Sequence, residues 1–258
     1  MMGWRNAARV LSIGLLSSLM LGCAVPLERA CPRCQTIELG VRPPVPAGTK
    51  TVYLLIPGLL GYGWEWDEAQ QELSQVPRAV TLVWPWDPWL SVAKSGDSLV
   101  RHLDYVLRRL PRSVDRVVVV AHSAAGLLAL WAGARISVPS QLVVELISVG
   151  APLAGQGFNP WGGQDLFRTP LPIALGSRFS SWPTLASGVS LRVFVTGPGD
   201  PVMVSHFGHQ PGDARVLPAS ATVVELPVTL DHNVALGFVA KLFRAEAQAR
   251  AAKASVQP

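Results

Sequence analysis

The chain has 258 residues, of which 49% are hydrophobic and 15% are charged, and its formal net charge is +5. A chain of this length and apolar content can bury a large core within one α/β domain, which excludes an intrinsically disordered protein. The positive excess is mild and forms no basic run with interleaved aromatic residues. The composition therefore gives no indication of nucleic-acid binding.

The N-terminus has the features of a targeting segment. Arg5 and Arg9 precede an apolar stretch, residues 10–21, that is too short to span a bilayer comfortably. The stretch leads into Gly22-Cys23 and resembles a bacterial lipobox, with Met20 in place of the usual leucine. The resemblance implies that residues 1–22 are a lipoprotein signal peptide. It also implies that Cys23 carries acyl chains, which would anchor the protein to a membrane without crossing it.

The residues that follow the lipobox bear on location and redox state. Ordinary secretory cleavage is the alternative, and it would leave Cys23 as a plain thiol. Ala24 differs from the aspartate associated with inner-membrane retention, so we expect the bacterial cell envelope, with the periplasmic or surface face of the outer membrane favoured. Cys31 and Cys34 would meet an oxidising compartment and could form a disulfide. Zinc would need two more ligands, so no metal site is expected.

Composition separates a tether from a folded domain. Residues 23–50 end in a stretch rich in proline and glycine and are predicted to be a tether, followed by a domain at 51–258. Within the domain, β-branched runs predict strands and apolar residues at helical spacing predict helices. Strands are expected at 51–56, 79–84, from 117 up to a serine at 123, 143–149, 191–196 and 222–226, and helices at 67–73, 97–110 and 234–251.

The strand that begins at Val117 is the most informative stretch. Its four consecutive valines can be buried on both faces, as a central parallel strand requires. The apolar run stops at Ser123, and leucines at helical spacing follow from Leu127. A strand that turns sharply into a helix can expose a serine at its apex, provided that the positions two before and two after it are small. Ala121 and Ala125 occupy these positions.

This turn resembles the nucleophile elbow of the α/β-hydrolase family, whose pattern is G-x-S-x-G, with alanine in place of both glycines. The resemblance implies the α/β-hydrolase fold, a mostly parallel sheet flanked by helices. The irregular stretch at about 156–188 is unusually long for a loop, so it is predicted to be a cap or lid over the site. The resemblance also implies that Pro57-Gly58, which could otherwise be a simple turn, begins an oxyanion loop. The two oxyanion donors would then be the backbone N–H groups of Leu59 and Ala124.

The same resemblance supplies the partners of Ser123. A serine hydroxyl needs an imidazole to take its proton, and the imidazole needs a carboxylate to orient it. In the family the acid follows the strand predicted here at 191–196, and the histidine follows the last strand, which implies Asp200 and His232. His102 is expected in a helix, and His122 is expected to direct its ring away from the serine. The competing candidates are Asp213 and Asp231 for the acid, and His206 and His209 for the base.

The resemblance implies a serine hydrolase that cleaves carboxylic esters through an acyl-enzyme on Ser123, with no metal or organic cofactor. The alternatives are an acyltransferase or thioesterase with the same triad, and a non-catalytic envelope lipoprotein with this fold. Tryptophans that follow the strand ends suggest an apolar pocket for an acyl-ester or lipid substrate, although ordinary packing onto the core is an equal explanation. The oligomeric state stays open. These tryptophans are Trp64, Trp66, Trp84, Trp86, Trp89, Trp161 and Trp182.

Overall fold

A computed structural model of the chain describes residues 35–58, 64–86, 92–151, 184–196, 220–227 and 234–256. The predicted signal peptide, Cys23 and the Cys31–Cys34 pair lie outside these ranges. Within them, no helix combines the length and the apolar content that crossing a membrane requires. The same residues contain no group of three or more histidine, cysteine or acidic side chains that could hold a metal ion.

Strands and helices alternate along most of the described chain. The strands are β1 (Gln35–Thr36), β2 (Thr51–Ile56), β3 (Ala79–Val83), β4 (Arg116–His122), β5 (Val143–Val149), β6 (Val189–Val195) and β7 (Thr222–Glu225). The helices are α1 (Trp64–Ser74), α2 (Val92–Leu107), α3 (Ala125–Gly133) and α4 (Val234–Val256). The strands form one sheet in the order β1-β3-β2-β4-β5-β6-β7, and every described strand pair is parallel.

The sheet lies between two helical layers, and β4 shows why. Val117, Val119 and Ala121 belong to the core cluster shared with α2 and α3, whereas Val118 and Val120 belong to the cluster shared with α1 and α4. Successive side chains of a strand point to opposite faces, so a strand that is apolar at every position is buried on both sides. Full burial of one such side chain contributes about 1.5–3 kcal/mol. Helix α3 is also buried at all its positions except Trp131.

The helix α2 begins and ends earlier than its apolar spacing predicts. It covers 92–107, whereas the sequence indicated 97–110. Its first turns pass over α3 at Gly96, where a Cβ atom would lie 2.6 Å from Cδ1 of Trp131. Because this contact joins two helices, the local sequence does not reveal it. The helix ends before Pro111, whose ring disfavours a helical residue ahead of it.

Part of the segment predicted to be a tether belongs to the sheet. Gln35 and Thr36 pair with Leu82 and Val83 of β3, so β1 forms one edge of the sheet. Ile37 is 4% exposed and packs in the core cluster of α2 and α3. The segment predicted to be a cap or lid is described only from residue 184. There the Ala186 N–H donates to the carbonyl of Gly133 at the end of α3 over 2.8 Å.

A partly buried ion-pair network joins the neighbouring strands β4, β5 and β6 to α4. The Glu145 carboxylate on β5 contacts the guanidinium groups of Arg116 on β4 and Arg192 on β6, the latter at 2.8 Å. Arg192 also pairs with Glu246 of α4 at 2.6 Å. Burial alone would lower the pKa of Arg192. The hydrogen bonds and ion pairs with Glu246 and Glu145 outweigh the effect of burial, so the pKa of Arg192 is raised above its ordinary value.

Replacing Glu145 with alanine should destabilise the domain by about 2–4 kcal/mol, because two guanidinium groups would lose a shared, nearly buried carboxylate. Urea unfolding followed by circular dichroism measures the difference. Asp115→Asn is the matched control, since the Lys50–Asp115 pair is 3.2 Å long and exposed on both sides. That control should cost less than about 1 kcal/mol. Equal losses in the two variants would contradict a structural role for the buried network.

Candidate active site

The carboxyl ends of β2 and β4 lie side by side at the point where the chain changes direction across the sheet. From β2 the chain proceeds to β3 on one side, and from β4 it proceeds to β5 on the other. In open α/β sheets, such a switch point forms the crevice in which ligands bind. Two stretches leave the sheet here, Pro57-Gly58 after β2 and Ser123 after β4. This is the edge at which the predicted nucleophile and oxyanion loop were expected.

These two stretches are in direct contact. A Cβ atom built on Gly58 would lie 3.0 Å from the Cβ atom of Ser123 and 3.4 Å from the carbonyl oxygen of His122. The first distance is tighter than most real Cβ contacts and the second is at the limit of ordinary contact, so a side chain here would require a small shift of the neighbouring turn. Gly58 therefore lets the backbone after β2 approach the serine closely.

Ser123 has a left-handed backbone, with φ of +54°. Its N–H donates to the carbonyl of Val149 at the end of β5 over 2.8 Å, and its carbonyl accepts the N–H of Gly126 over 2.9 Å. A residue with a Cβ atom costs about 1–2 kcal/mol in this conformation. The surrounding hydrogen bonds hold the strained turn, and the side chain of Ser123 stays partly exposed.

Small residues surround the turn. Ala121 and Ala125, the two positions predicted to need small side chains, are both fully buried. Gly126 is under a stricter limit: a Cβ atom there would overlap the Ser148 hydroxyl and lie 2.5 Å from the Cβ atom of Ala151. The sequence contained a signal for this, a glycine three residues after the serine, but it becomes decisive only once β5 is placed beneath α3.

The structure describes two groups next to Ser123, the backbone of Ala124 and the ring of His122. Ala124 is 6% exposed, and none of the backbone hydrogen bonds described for this turn uses its N–H. His122 is 4% exposed, and its ring meets Trp66 of α1 edge-on at 6.3 Å between centroids. The His122 ring therefore packs onto α1. His102 lies in α2, as predicted, with its Nδ1 atom 2.8 Å from the Ser98 carbonyl.

The other predicted members of the site lie outside the described residues. These are Leu59, Asp200 and His232, together with their competitors Asp213, Asp231, His206 and His209. The described chain stops at Thr196, directly after β6, and Asp200 lies four residues further on. It stops again at Pro227, after β7, and resumes at α4, which begins two residues after His232. The structure thus describes the serine side of the site and the elements that flank the other two residues.

The tryptophans divide between core and site. Trp66 and Trp84 are 1% and 3% exposed and belong to the two core clusters, so for these two the interpretation as pocket-lining residues is wrong and ordinary packing is correct. Trp86 is partly buried, and its indole N–H donates to the carbonyl of Pro57 over 2.6 Å. The side chain of Trp64, and all of Trp89, Trp161 and Trp182, lie outside the description.

Gly126→Ala should destabilise the domain by about 1–2 kcal/mol, because the overlap with β5 outweighs the better helix propensity of alanine. It should also slow modification of Ser123 by a serine-reactive probe, because relief of the overlap would displace the backbone N–H of residue 126, which holds the serine carbonyl. Thermal unfolding and labelling rates measure the two effects. Ser148→Ala is the control: its hydroxyl is buried and has no hydrogen-bond partner among the residues that the structure describes, so removal should be neutral or stabilising. The double variant should recover only part of the loss, because the overlap with the Cβ atom of Ala151 remains. A Gly126→Ala variant as stable as the wild type would contradict the overlap.

No protein-family model and no curated protein sequence matches this chain. Among solved structures, a metagenomic carboxyl esterase is similar with a TM-score of 0.55 at 14% identity, covering 84% of this chain and 80% of its own. Esterase B from Lactobacillus rhamnosis is similar with a TM-score of 0.50 at 13% identity, covering 81% and 76%. At these identities the likeness concerns the fold alone. Together with the parallel sheet and its two helical layers, it confirms the predicted fold class, the α/β-hydrolase fold.

Proposed function

We propose that the protein is a serine hydrolase that cleaves carboxylic esters, with Ser123 as the nucleophile. The observation that carries the proposal is the strained backbone of Ser123, whose φ is +54°, at the switch point of a parallel sheet. A non-glycine residue in a left-handed turn costs stability that glycine would largely recover, and such strain clusters at functional sites. Both solved structures described above are esterases by name, which supports the same class.

The proposed mechanism uses three side chains, those of Ser123, Asp200 and His232. His232 takes the proton of the Ser123 hydroxyl as the oxygen attacks the ester carbonyl, and it then gives this proton to the departing alcohol. Asp200 orients the imidazole and stabilises its cation. A water molecule then attacks the acyl-enzyme while His232 takes its proton. His232 gives this proton to the Ser123 oxygen, which releases the acid and restores the serine.

Two backbone donors would stabilise the tetrahedral intermediates. The N–H of Ala124 directly follows the nucleophile, and the N–H of Leu59 follows Gly58, which contacts Ser123. Loss of one such donor costs about 3–4 kcal/mol of transition-state stabilisation. The small residues at this turn support the proposal, because they leave space for the oxyanion close to the backbone.

The helix α4, which starts just after His232, is fixed to α1 by ion pairs. Lys241 contacts Glu68 at 2.6 Å, and Arg244 contacts Glu72 at 2.7 Å. The hydrogen bond and charge of Glu68 raise the pKa of the Lys241 ammonium. Each pair is partly exposed and contributes modestly to stability. Their contribution to the proposed site is geometric, because they hold the part of α4 near Lys241 and Arg244 in a fixed position relative to α1.

The triad predicts that a fluorophosphonate probe labels the folded wild-type protein at Ser123. Ser123→Ala and His232→Ala should abolish labelling or slow it at least about a thousandfold, because nucleophile and base act as one unit. Mass spectrometry of the labelled peptide and time-resolved labelling measure both effects. The protein should also hydrolyse p-nitrophenyl esters, and a series of acyl chain lengths would identify the preferred substrate.

The matched controls are His206→Ala and His209→Ala, which should keep the wild-type labelling rate. Loss of labelling in one of them, with His232→Ala unaffected, would move the base to that residue. Labelling without hydrolysis of any ester would point to the acyltransferase or thioesterase alternative. A folded wild-type protein that is never labelled would contradict the enzyme and favour a non-catalytic lipoprotein.

We also propose that Cys23 is acylated and that the domain is thereby anchored in the bacterial envelope, with lipid or acyl esters as its substrates. The support is the lipobox-like sequence that ends at Cys23. Cys23→Ser should move the protein expressed in a bacterial host from the membrane fraction to the soluble fraction and abolish incorporation of labelled palmitate. Cys31→Ser is the control and should stay in the membrane fraction. Unchanged partition of the Cys23 variant would contradict the anchor.

A further inference from the structure

The indole of Trp86 forms a short hydrogen bond at the edge of the site. Its Nε1–H donates to the carbonyl of Pro57 over 2.6 Å, and Pro57 directly precedes the glycine that contacts Ser123. We propose that Trp86 is a positioning residue that holds the Pro57–Gly58 peptide against Ser123 and thereby sets the geometry of the oxyanion site. The inference rests on the proposed esterase function and adds to it a residue outside the triad and the oxyanion donors.

The position of Trp86 follows from the pairing of β2 with β3. The two strands are parallel, and the pairing continues one residue beyond β3, where the Trp84 N–H donates to the carbonyl of Leu55 over 2.9 Å. The chain leaving β3 therefore runs beside the chain leaving β2. The partly buried ring of Trp86 packs against the core cluster of α2 and α3, which fixes the indole.

The backbone of Pro57 explains why the hydrogen bond from Trp86 matters. Proline has no N–H, so this residue donates no hydrogen bond to a neighbouring strand. Its carbonyl belongs to the same planar unit as the N–H and Cα atom of Gly58. Fixing the Pro57 oxygen therefore fixes that plane, from which the chain continues to the proposed oxyanion donor, the N–H of Leu59.

The hydrogen bond from Trp86 should stabilise the transition state more than the ground state. An oxyanion donor must meet the charged oxygen of the tetrahedral intermediate, whereas the substrate carbonyl makes weaker demands on its position. Small misplacements of catalytic groups reduce rates steeply. Loss of the indole donor should therefore lower kcat about tenfold and leave KM within about twofold.

The experiment compares Trp86→Phe with Trp131→Phe in the full-length protein. Trp131 also donates an indole hydrogen bond, to Asp97 over 2.8 Å, but it lies eight residues along the chain from Ser123, two turns into α3. Kinetics with a p-nitrophenyl ester and inhibition by an alkyl boronic acid, which forms a tetrahedral adduct with serine, are measured for both. Trp86→Phe should lose about tenfold in kcat and in boronate affinity, and Trp131→Phe should match the wild type.

A second variant separates the hydrogen bond from the ring. Incorporation of benzothienylalanine at position 86 replaces the indole N–H by sulfur and keeps the shape, so it should reproduce the loss even where Trp86→Phe is less stable. The proposal is overturned if both variants keep kcat and boronate affinity within twofold of the wild type. It is also overturned if KM rises while kcat is unchanged, which would make Trp86 a substrate contact. A wild-type protein inert to esters and boronates overturns this proposal and the proposed function together.

Discussion

The strained turn between β4 and α3 is the constraint on which the site depends. Ser123 keeps its left-handed backbone because its N–H is bound by the end of β5 and its carbonyl by Gly126. Gly126 in turn fits only because it has no side chain above Ser148 and Ala151. The end of β5 and the first turn of α3 therefore determine the conformation of one residue. The serine is held at the edge of the sheet by backbone hydrogen bonds and by the packing beneath it.

The two ends of the sheet differ in chemistry. At the carboxyl ends of β2 and β4, small residues such as Gly58 and Ala121 surround Ser123, and backbone hydrogen bonds hold the turn. Nearer the amino ends, Glu145 joins Arg116 and Arg192, and the latter ties the sheet to α4 through Glu246. Side-chain charge thus stabilises the domain on the side away from the strained turn. This separation is typical of proteins in which a site carries strain that the remaining structure compensates.

The sequence predicted those features that depend on local pattern. Runs of β-branched residues located the strands, and small residues on both sides of Ser123 located the turn, because strand burial and tight turns impose their requirements on neighbouring positions. Features that depend on contacts between distant segments were not predictable. The Trp86–Pro57 hydrogen bond and the burial of Trp66 are examples, since each depends on which element packs alongside. The roles of Asp200 and His232 stay predictions from family resemblance.

The short edge strand β1 has a consequence for where the domain can operate. Gln35 is already paired to β3, and only the eleven residues from Ala24 to Cys34 separate the body of the domain from Cys23. Even fully extended, a segment of this length reaches about 40 Å. With Cys23 acylated, as we propose, the catalytic domain would be confined to a layer roughly one domain diameter deep above the bilayer. Esters presented at that surface would then encounter it far more often than esters free in the surrounding fluid.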